Sequence, residues 1–73
     1  MTTYGEKAVG LTFNPSGDKD VETLKKLYAH IIDFCATARD TTENGERKRL
    51  FSIAITEAQT AQMWAVKAVT WKD

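Results

Sequence analysis

The sequence has very few of the residues that cross-link small domains or hold metals in them. It contains one cysteine, Cys35, and one histidine, His30. A single cysteine excludes an intrachain disulfide and a zinc cluster built from cysteines. A single histidine excludes a metal site with two histidine ligands from one chain. We therefore expect neither a metal nor any other cofactor.

The chain also lacks net charge and long apolar runs. Ten Lys and Arg residues balance ten Asp and Glu residues, so there is no general attraction to polymeric DNA or RNA or to anionic membranes. No apolar run approaches the roughly 18 residues that a membrane span needs. The first six residues lack the apolar core of a secretory signal. These features predict an intracellular protein whose partners include neither a nucleic-acid polymer nor a membrane.

The residues that are present predict a single all-α domain over 1–73. Apolar residues make up 42% of the 73 residues, which is typical of a globular chain. Residues 1–19 hold three of the four glycines and the only proline, so this N-terminal arm is predicted to be irregular. Residues 20–40 and 47–70 carry helical periodicity, and a short polar connector makes them antiparallel neighbours. The predicted fold is an antiparallel helical hairpin.

Each predicted helix has an apolar stripe with alternating spacings of three and four residues. The first stripe comprises Val21, Leu24, Tyr28, Ile31, Cys35 and Ala38, and the second comprises Phe51, Ala54, Ala58, Ala61, Ala65 and Ala68. A stripe of alanines lets another helix approach closely, either within the hairpin or from a second subunit. Chains below about 70–80 residues usually need a further source of stability. Self-association into a homo-oligomer is the source left to this one.

Catalytic chemistry finds little support in the sequence. His30 and Cys35 are five residues apart, about 140° around a helix, so they do not face the same point. Neither a Walker loop nor a Gly-x-Gly-x-x-Gly fingerprint occurs. We therefore predict that the protein is not an enzyme.

The most distinctive stretch is Thr-Phe-Asn-Pro-Ser-Gly at positions 12–17. Asn14, Pro15, Ser16 and Gly17 stand in the order that a type I turn favours. One interpretation is a turn that leads into a helix, with Phe13 packed as an apolar anchor. The other is a phosphate site, in which free amides of the helix N-terminus, helped by Asn14 and Ser16, bind the anion.

In the phosphate interpretation, nearby side chains complete the site. Phe13 would stack on a base, and Lys25 or Lys26, two turns into the helix, would supply the positive charge. A second candidate surface lies on the other helix, where Trp64 and Trp71 are seven residues apart with Lys67 between them. Either the tryptophans cover an edge of the core, or they form an aromatic and cationic platform for a planar or anionic ligand.

The order and spacing of these blocks resemble a known family. The Thr12–Gly17 turn is followed by Val21 and Lys25, then by Ala-Ile-Thr-Glu at 54–57 and Ala-Gln-Met-Trp-Ala-Val-Lys-Ala at 61–68. The pattern covers roughly residues 11–70. It is similar to the small phage-encoded anti-CBASS cyclic-nucleotide sponges, whose hairpin is shared with sponges that counter Thoeris immunity.

The resemblance implies a fold, an activity and partners. It implies a helical hairpin that assembles into a homo-hexamer in the host bacterial cytoplasm. It implies binding of cyclic dinucleotides such as cyclic GMP-AMP, and of cyclic trinucleotides, without cleavage. Sequestration of these messengers would block CBASS antiviral signalling and so evade host immunity. The two ligand classes would occupy different kinds of pocket between subunits.

The resemblance also implies roles for individual residues. Phe13 matches the aromatic that stacks on a base, where many relatives have tyrosine, and Lys25 matches the lysine that meets phosphate. Lys67 matches a basic residue near the end of the second helix, and Thr56 matches a recurrent threonine. The full predicted ligand set is Phe13, Asn14, Pro15, Ser16, Lys25, Lys26, Thr56, Trp64 and Lys67.

A second class of function stays open at this stage. The alanine stripe and the surplus apolar residues on the first helix also suit a small phage adaptor that docks on a partner protein and binds no nucleotide. A test of nucleotide binding distinguishes the sponge, which binds cyclic nucleotides, from the adaptor, which does not. The sequence leaves open which cyclic nucleotide is preferred, the number of subunits, and the roles of Tyr4 and of the basic run at 47–49.

Overall fold

The computed structural model describes residues 2–73, and Met1 lies outside the described residues. It contains three helices, α1 (Tyr4–Val9), α2 (Lys19–Thr41) and α3 (Gly45–Val69). Residues 2–73 contain no strand, so the all-α prediction is confirmed. Residues 42–44 join α2 to α3, and these two helices pack along each other as a hairpin. The first helix contacts mainly α2 and touches α3 only lightly.

The prediction of an irregular arm over 1–19 is wrong for Tyr4–Val9. The Thr3 hydroxyl accepts a hydrogen bond from the backbone N–H of Glu6 at 3.1 Å, and the Glu6 carboxylate accepts one from the Thr3 N–H at 2.9 Å. This reciprocal capping box begins the helix. Gly10 ends it in the left-handed conformation, with φ of 62°. Six residues are too few for a periodicity signal, so the flanking glycines dominated the prediction.

Close contact between backbones fixes α1 on α2. The backbone N–H of Gly5 donates to the Asp33 carboxylate at 2.6 Å. A Cβ atom at position 5 would stand 2.2 Å from the carbonyl oxygen of Ala29. Only glycine permits this approach without displacing a backbone. The first helix therefore lies against the middle of α2, next to the turn that follows it.

Side-chain caps set the starts of the two long helices. Asp18 caps α2 through the amides of Asp20 and Val21, and Asn44 caps α3 through the amide of Arg47 at 2.9 Å. The observed bounds extend the predicted spans of 20–40 and 47–70 by one or two residues, except that α3 ends one residue earlier. The basic run at 47–49, predicted at the very start of this helix, therefore begins two residues inside α3.

The hydrophobic core is small, and on α2 and α3 its residues lie one position C-terminal to residues of the predicted stripes. Its buried cluster comprises Val9, Ala29, Ile32, Ala36 and Ile55. Three alanines of the predicted stripe, Ala54, Ala61 and Ala68, are exposed. The alanine stripe is therefore not the seam of the hairpin, which instead buries Ile55 and Gln62 of α3.

Large apolar side chains remain uncovered on the surface. Leu27, Ile31 and Phe34 are 50–71% exposed and follow one another along one face of α2. The molecule is also thin, since its Cα extents are 46 × 29 × 12 Å. None of the helices in residues 2–73 has the length and apolar content for crossing a bilayer.

Candidate functional site

The turn at residues 14–17 forms as predicted and is held by its own polar groups. The Gly17 N–H donates to the Asn14 carbonyl at 3.0 Å. The Asn14 amide donates to the carbonyl of Asp18 at 3.0 Å, and the Ser16 hydroxyl donates to the Asn14 side-chain oxygen at 3.0 Å. The Ser16 hydroxyl also accepts from the Asp18 N–H at 3.2 Å. These bonds fix the turn in front of α2.

The amides at the start of α2 are already bound, which corrects the expectation that they are free. One carboxylate oxygen of Asp18 accepts from the N–H of Asp20 at 2.7 Å and from that of Val21 at 3.3 Å. A carboxylate cap supplies the negative charge that a helix N-terminus favours. This helix end therefore does not offer an empty anion site, and positive charge for a ligand has to come from side chains.

Lys25 is the buried cation of the region, with only 5% of its surface exposed. Its ammonium donates to the carbonyl oxygen of Gly10 at 2.9 Å and to that of Phe13. The same nitrogen lies 5.5 Å from the centre of the Phe13 ring. None of the ion pairs within residues 2–73 includes Lys25. Its charge is thus met by carbonyl dipoles and a ring face, with no carboxylate to neutralise it.

Two cavities meet at Phe13 and Lys25. The first has a volume of about 300 Å³ and is lined by Phe13, Asn14, Pro15, Ser16, Val21, Lys25, Val66 and Thr70. Five of the nine predicted ligand residues are therefore brought together. The second, of about 550 Å³, shares Phe13, Lys25 and Val66 and adds Lys7 and Gln62 among its lining residues. Phe13 is 71% exposed, so its ring is accessible where the cavities adjoin.

Lys26 and Thr56 do not line either of these cavities. The Lys26 ammonium pairs with Glu22 one turn earlier, at 2.9 Å on the exposed surface of α2. The hydrogen bond and the charge of this pair raise the pKa of Lys26 and lower the pKa of Glu22 from their ordinary values. The Thr56 hydroxyl is exposed and donates back to the carbonyl of Ser52 at 3.3 Å.

Trp64 and Lys67 form a separate surface near the end of α3. The Lys67 ammonium lies 5.3 Å from the centre of the Trp64 ring and 5.9 Å from that of Trp71. Both tryptophans are more than 60% exposed. The exposure of both rings disagrees with the interpretation that they cover an edge of the core, and a ligand-binding role for the platform stays a prediction.

Gln62 and Lys7 were missed by the sequence reasoning. Gln62 lies seven residues after the buried Ile55, so both occupy the face of α3 that packs on α2. That register was the available signal, since a glutamine on a buried face needs polar partners or a cavity. Lys7 belongs to α1, a helix that was not predicted.

A further cavity lies at the other end of the hairpin, and none of the predicted ligand residues lines it. It measures about 810 Å³, and its lining includes Thr41, Arg47, Leu50 and Phe51.

Among residues 2–73, no three His, Cys, Asp or Glu side chains are grouped as metal ligands would be.

Comparison with known proteins gives one match. A comparison with curated proteins finds nothing similar, and neither does a comparison with solved structures. A family model described as the Acb2/Tad1 hairpin domain matches residues 6–70, which include all three helices except the first two residues of α1. The resemblance to the anti-CBASS and anti-Thoeris sponges is thereby confirmed, and the chain belongs to the Acb2/Tad1 hairpin family.

Proposed function

We propose that this protein is a phage immune-evasion protein that binds cyclic oligonucleotide second messengers and sequesters them without cleavage. Its ligands would be cyclic dinucleotides such as cyclic GMP-AMP, with cyclic trinucleotides as a second class. Acting in the host bacterial cytoplasm, it would withhold the messenger from the CBASS effector. The proposal rests chiefly on the convergence of Phe13 and the buried Lys25 at one cavity, in a member of the Acb2/Tad1 hairpin family.

The groups at this cavity suit the two chemical parts of a nucleotide. The exposed ring of Phe13 offers a face on which a base can stack, which is worth about 1–3 kcal/mol per base. Lys25 supplies a positive charge that no carboxylate offsets, and Lys7 lines the adjoining cavity. A phosphate placed here would meet cations in a partly water-excluded site, where their attraction is stronger than in bulk water.

Self-association would complete the binding site in this proposal. The exposed stripe of Leu27, Ile31 and Phe34 leaves apolar surface that a second copy can cover. A symmetric hexamer would repeat the same few residues around a nearly symmetric ligand. The Trp64 and Lys67 platform then becomes the candidate for the second ligand class. Lysine there keeps the charge but lacks the bidentate geometry of arginine.

The decisive experiment is calorimetry with a panel of cyclic di- and trinucleotides, combined with measurement of solution mass. We expect binding at or below micromolar concentration and recovery of intact ligand after the complex is denatured by heat. No binding of any panel member at these concentrations would overturn the proposal. Recovery of linearised ligand would overturn the claim that the protein only sequesters.

The Phe13→Ala variant tests the stacking role. Because stacking contributes about 1–3 kcal/mol, affinity for the dinucleotide should fall by roughly fivefold to 150-fold, with the oligomer intact. Tyr4→Ala is the matched control, since Tyr4 is an exposed aromatic that lines neither cavity around Lys25. Equal affinities for Phe13→Ala and the unmodified protein would remove Phe13 from the site.

A protein-binding adaptor is the second candidate function, and the uncovered stripe on α2 is the observation that favours it. It predicts a stable complex with a host or phage protein and no heat released with any cyclic nucleotide. A pull-down from infected cells, run beside the calorimetry, distinguishes the two functions.

A further inference from the structure

Gln62 stands out because it is a buried polar side chain to which no protein partner is assigned. Only 5% of its surface is exposed, and none of the side-chain hydrogen bonds found within residues 2–73 involves it. Yet no side-chain nitrogen or oxygen in residues 2–73 is both fully enclosed and without a partner. The amide atoms of Gln62 therefore reach open space, and Gln62 is one of the residues that line the cavity of about 550 Å³.

The Gln62 amide is available to a molecule that enters this cavity. Because its polar atoms reach open space, water can bind them when the cavity holds no ligand. A carboxamide carries both a hydrogen-bond donor and an acceptor. A ligand that offers a complementary acceptor and donor can therefore replace the water.

The cavity around Gln62 has the composition of a nucleotide site. It is lined by the cations Lys7 and Lys25 and by the exposed ring of Phe13, with no carboxylate in its lining. The ring can hold a base by stacking and the lysines can meet phosphate, as the proposed function requires. Gln62 is the remaining polar group of the wall and the one able to distinguish one base from another.

We infer that Gln62 is a specificity-determining residue that reads the edge of a base stacked on Phe13, and that it selects adenine over guanine. A carboxamide presents one donor beside one acceptor. The N6 and N7 edge of adenine presents the complementary pair, whereas the same edge of guanine presents two acceptors, N7 and O6. Guanine would leave the Gln62 oxygen facing another acceptor. This inference rests on the proposed function, because it assigns a base preference to the same site.

The test compares affinities for cyclic di-AMP and cyclic di-GMP in three proteins by calorimetry. They are the unmodified protein, Gln62→Met, which keeps the length of the side chain and loses its polar atoms, and Gln62→Leu as a second apolar variant. Ile53→Met is the control, because Ile53 is an exposed apolar residue of α3 that lines neither cavity around Lys25. Thermal unfolding of each variant checks that the hairpin stays folded.

The unmodified protein should bind cyclic di-AMP more tightly, and Gln62→Met should lose affinity for it by roughly tenfold. Its affinity for cyclic di-GMP should change little, and Ile53→Met should keep the original preference. Equal weakening of both ligands, or no change in either, overturns the inference and leaves the proposed function standing. No binding of either ligand or of any other cyclic oligonucleotide by the unmodified protein overturns both.

Discussion

The sharpest structural prediction concerns the replacement of Lys25 by methionine. This change removes the ammonium group and keeps an unbranched apolar side chain in the same buried position. Two hydrogen bonds are lost, those to the carbonyl oxygens of Gly10 and Phe13. The Gly10 oxygen keeps the Phe13 N–H at 2.9 Å as a partner. The Phe13 oxygen is left with none among the hydrogen bonds found within residues 2–73.

The expected loss of stability is the difference between two larger effects. Hydrogen bonds from a charged donor contribute about 1.5–3 kcal/mol each, so two contribute about 3–6 kcal/mol. Burying an ammonium costs several kcal/mol, and methionine does not incur this cost. We therefore expect the free energy of unfolding to fall by about 1–3 kcal/mol. For a chain of this size that corresponds to a Tm lower by about 4–24 °C.

Thermal denaturation followed by circular dichroism measures this effect at a fixed protein concentration. The matched control is Lys26→Met, which removes a neighbouring lysine whose only bond is an exposed pair with Glu22. Exposed pairs contribute little, so the control should unfold close to the Tm of the unmodified protein. If Lys25→Met unfolds at the same temperature as Lys26→Met, the buried ammonium does not hold the segment that carries Phe13.

Two further predictions concern the docking of α1 and the effect of acid. Gly5→Ala should lower the Tm because its Cβ would stand 2.2 Å from a backbone oxygen of α2. Gly45→Ala is the control, since its Cβ would meet nothing within 4 Å, and it should leave the Tm equal or slightly higher. Equal Tm values for the two variants would contradict the close approach of α1. The pKa of Glu22 is lowered by its hydrogen bond and charge pairing with Lys26. The stability from this pair is therefore present above the pKa of Glu22 in the unfolded chain and lost as pH falls through its lowered folded value. Because the pair is exposed, Glu22→Gln should differ only slightly from the unmodified protein in chemical denaturation at neutral pH, and the difference should vanish in strong acid. A difference that persists in acid would refute this reasoning.

The long helices could be predicted from the sequence because their periodicity extends over more than five turns. The face that each helix buries could not, because apolar residues surround α2 on several sides. Ile31 belongs to the predicted stripe and is half exposed, while its neighbour Ile32 is fully buried. Periodicity alone does not choose between two adjacent stripes when both are apolar. The choice comes from packing against α1 and α3.

The candidate site shows the same limit in a different form. The turn at 14–17 and its neighbour Phe13 were recognisable from local sequence preferences. The role of Lys25 as an anchor of that turn was not, because it depends on carbonyl oxygens 12 and 15 residues earlier in the chain. Gln62 was missed because its importance also depends on residues distant in the sequence. The cavity that it lines is formed in part by α1 and exists only once that helix has docked.

The thinness of the molecule has a consequence for how much working protein a cell would contain. Its shortest Cα extent is 12 Å, close to the roughly 8–10 Å that separates two packed helices, so the buried core is small and much apolar surface lies on the two broad faces. If copies cover these faces as proposed, folding and assembly become one equilibrium that depends on concentration. Dilute chains would then be open to proteolysis, and concentrated ones protected. The amount of functional protein would rise more steeply than its rate of synthesis.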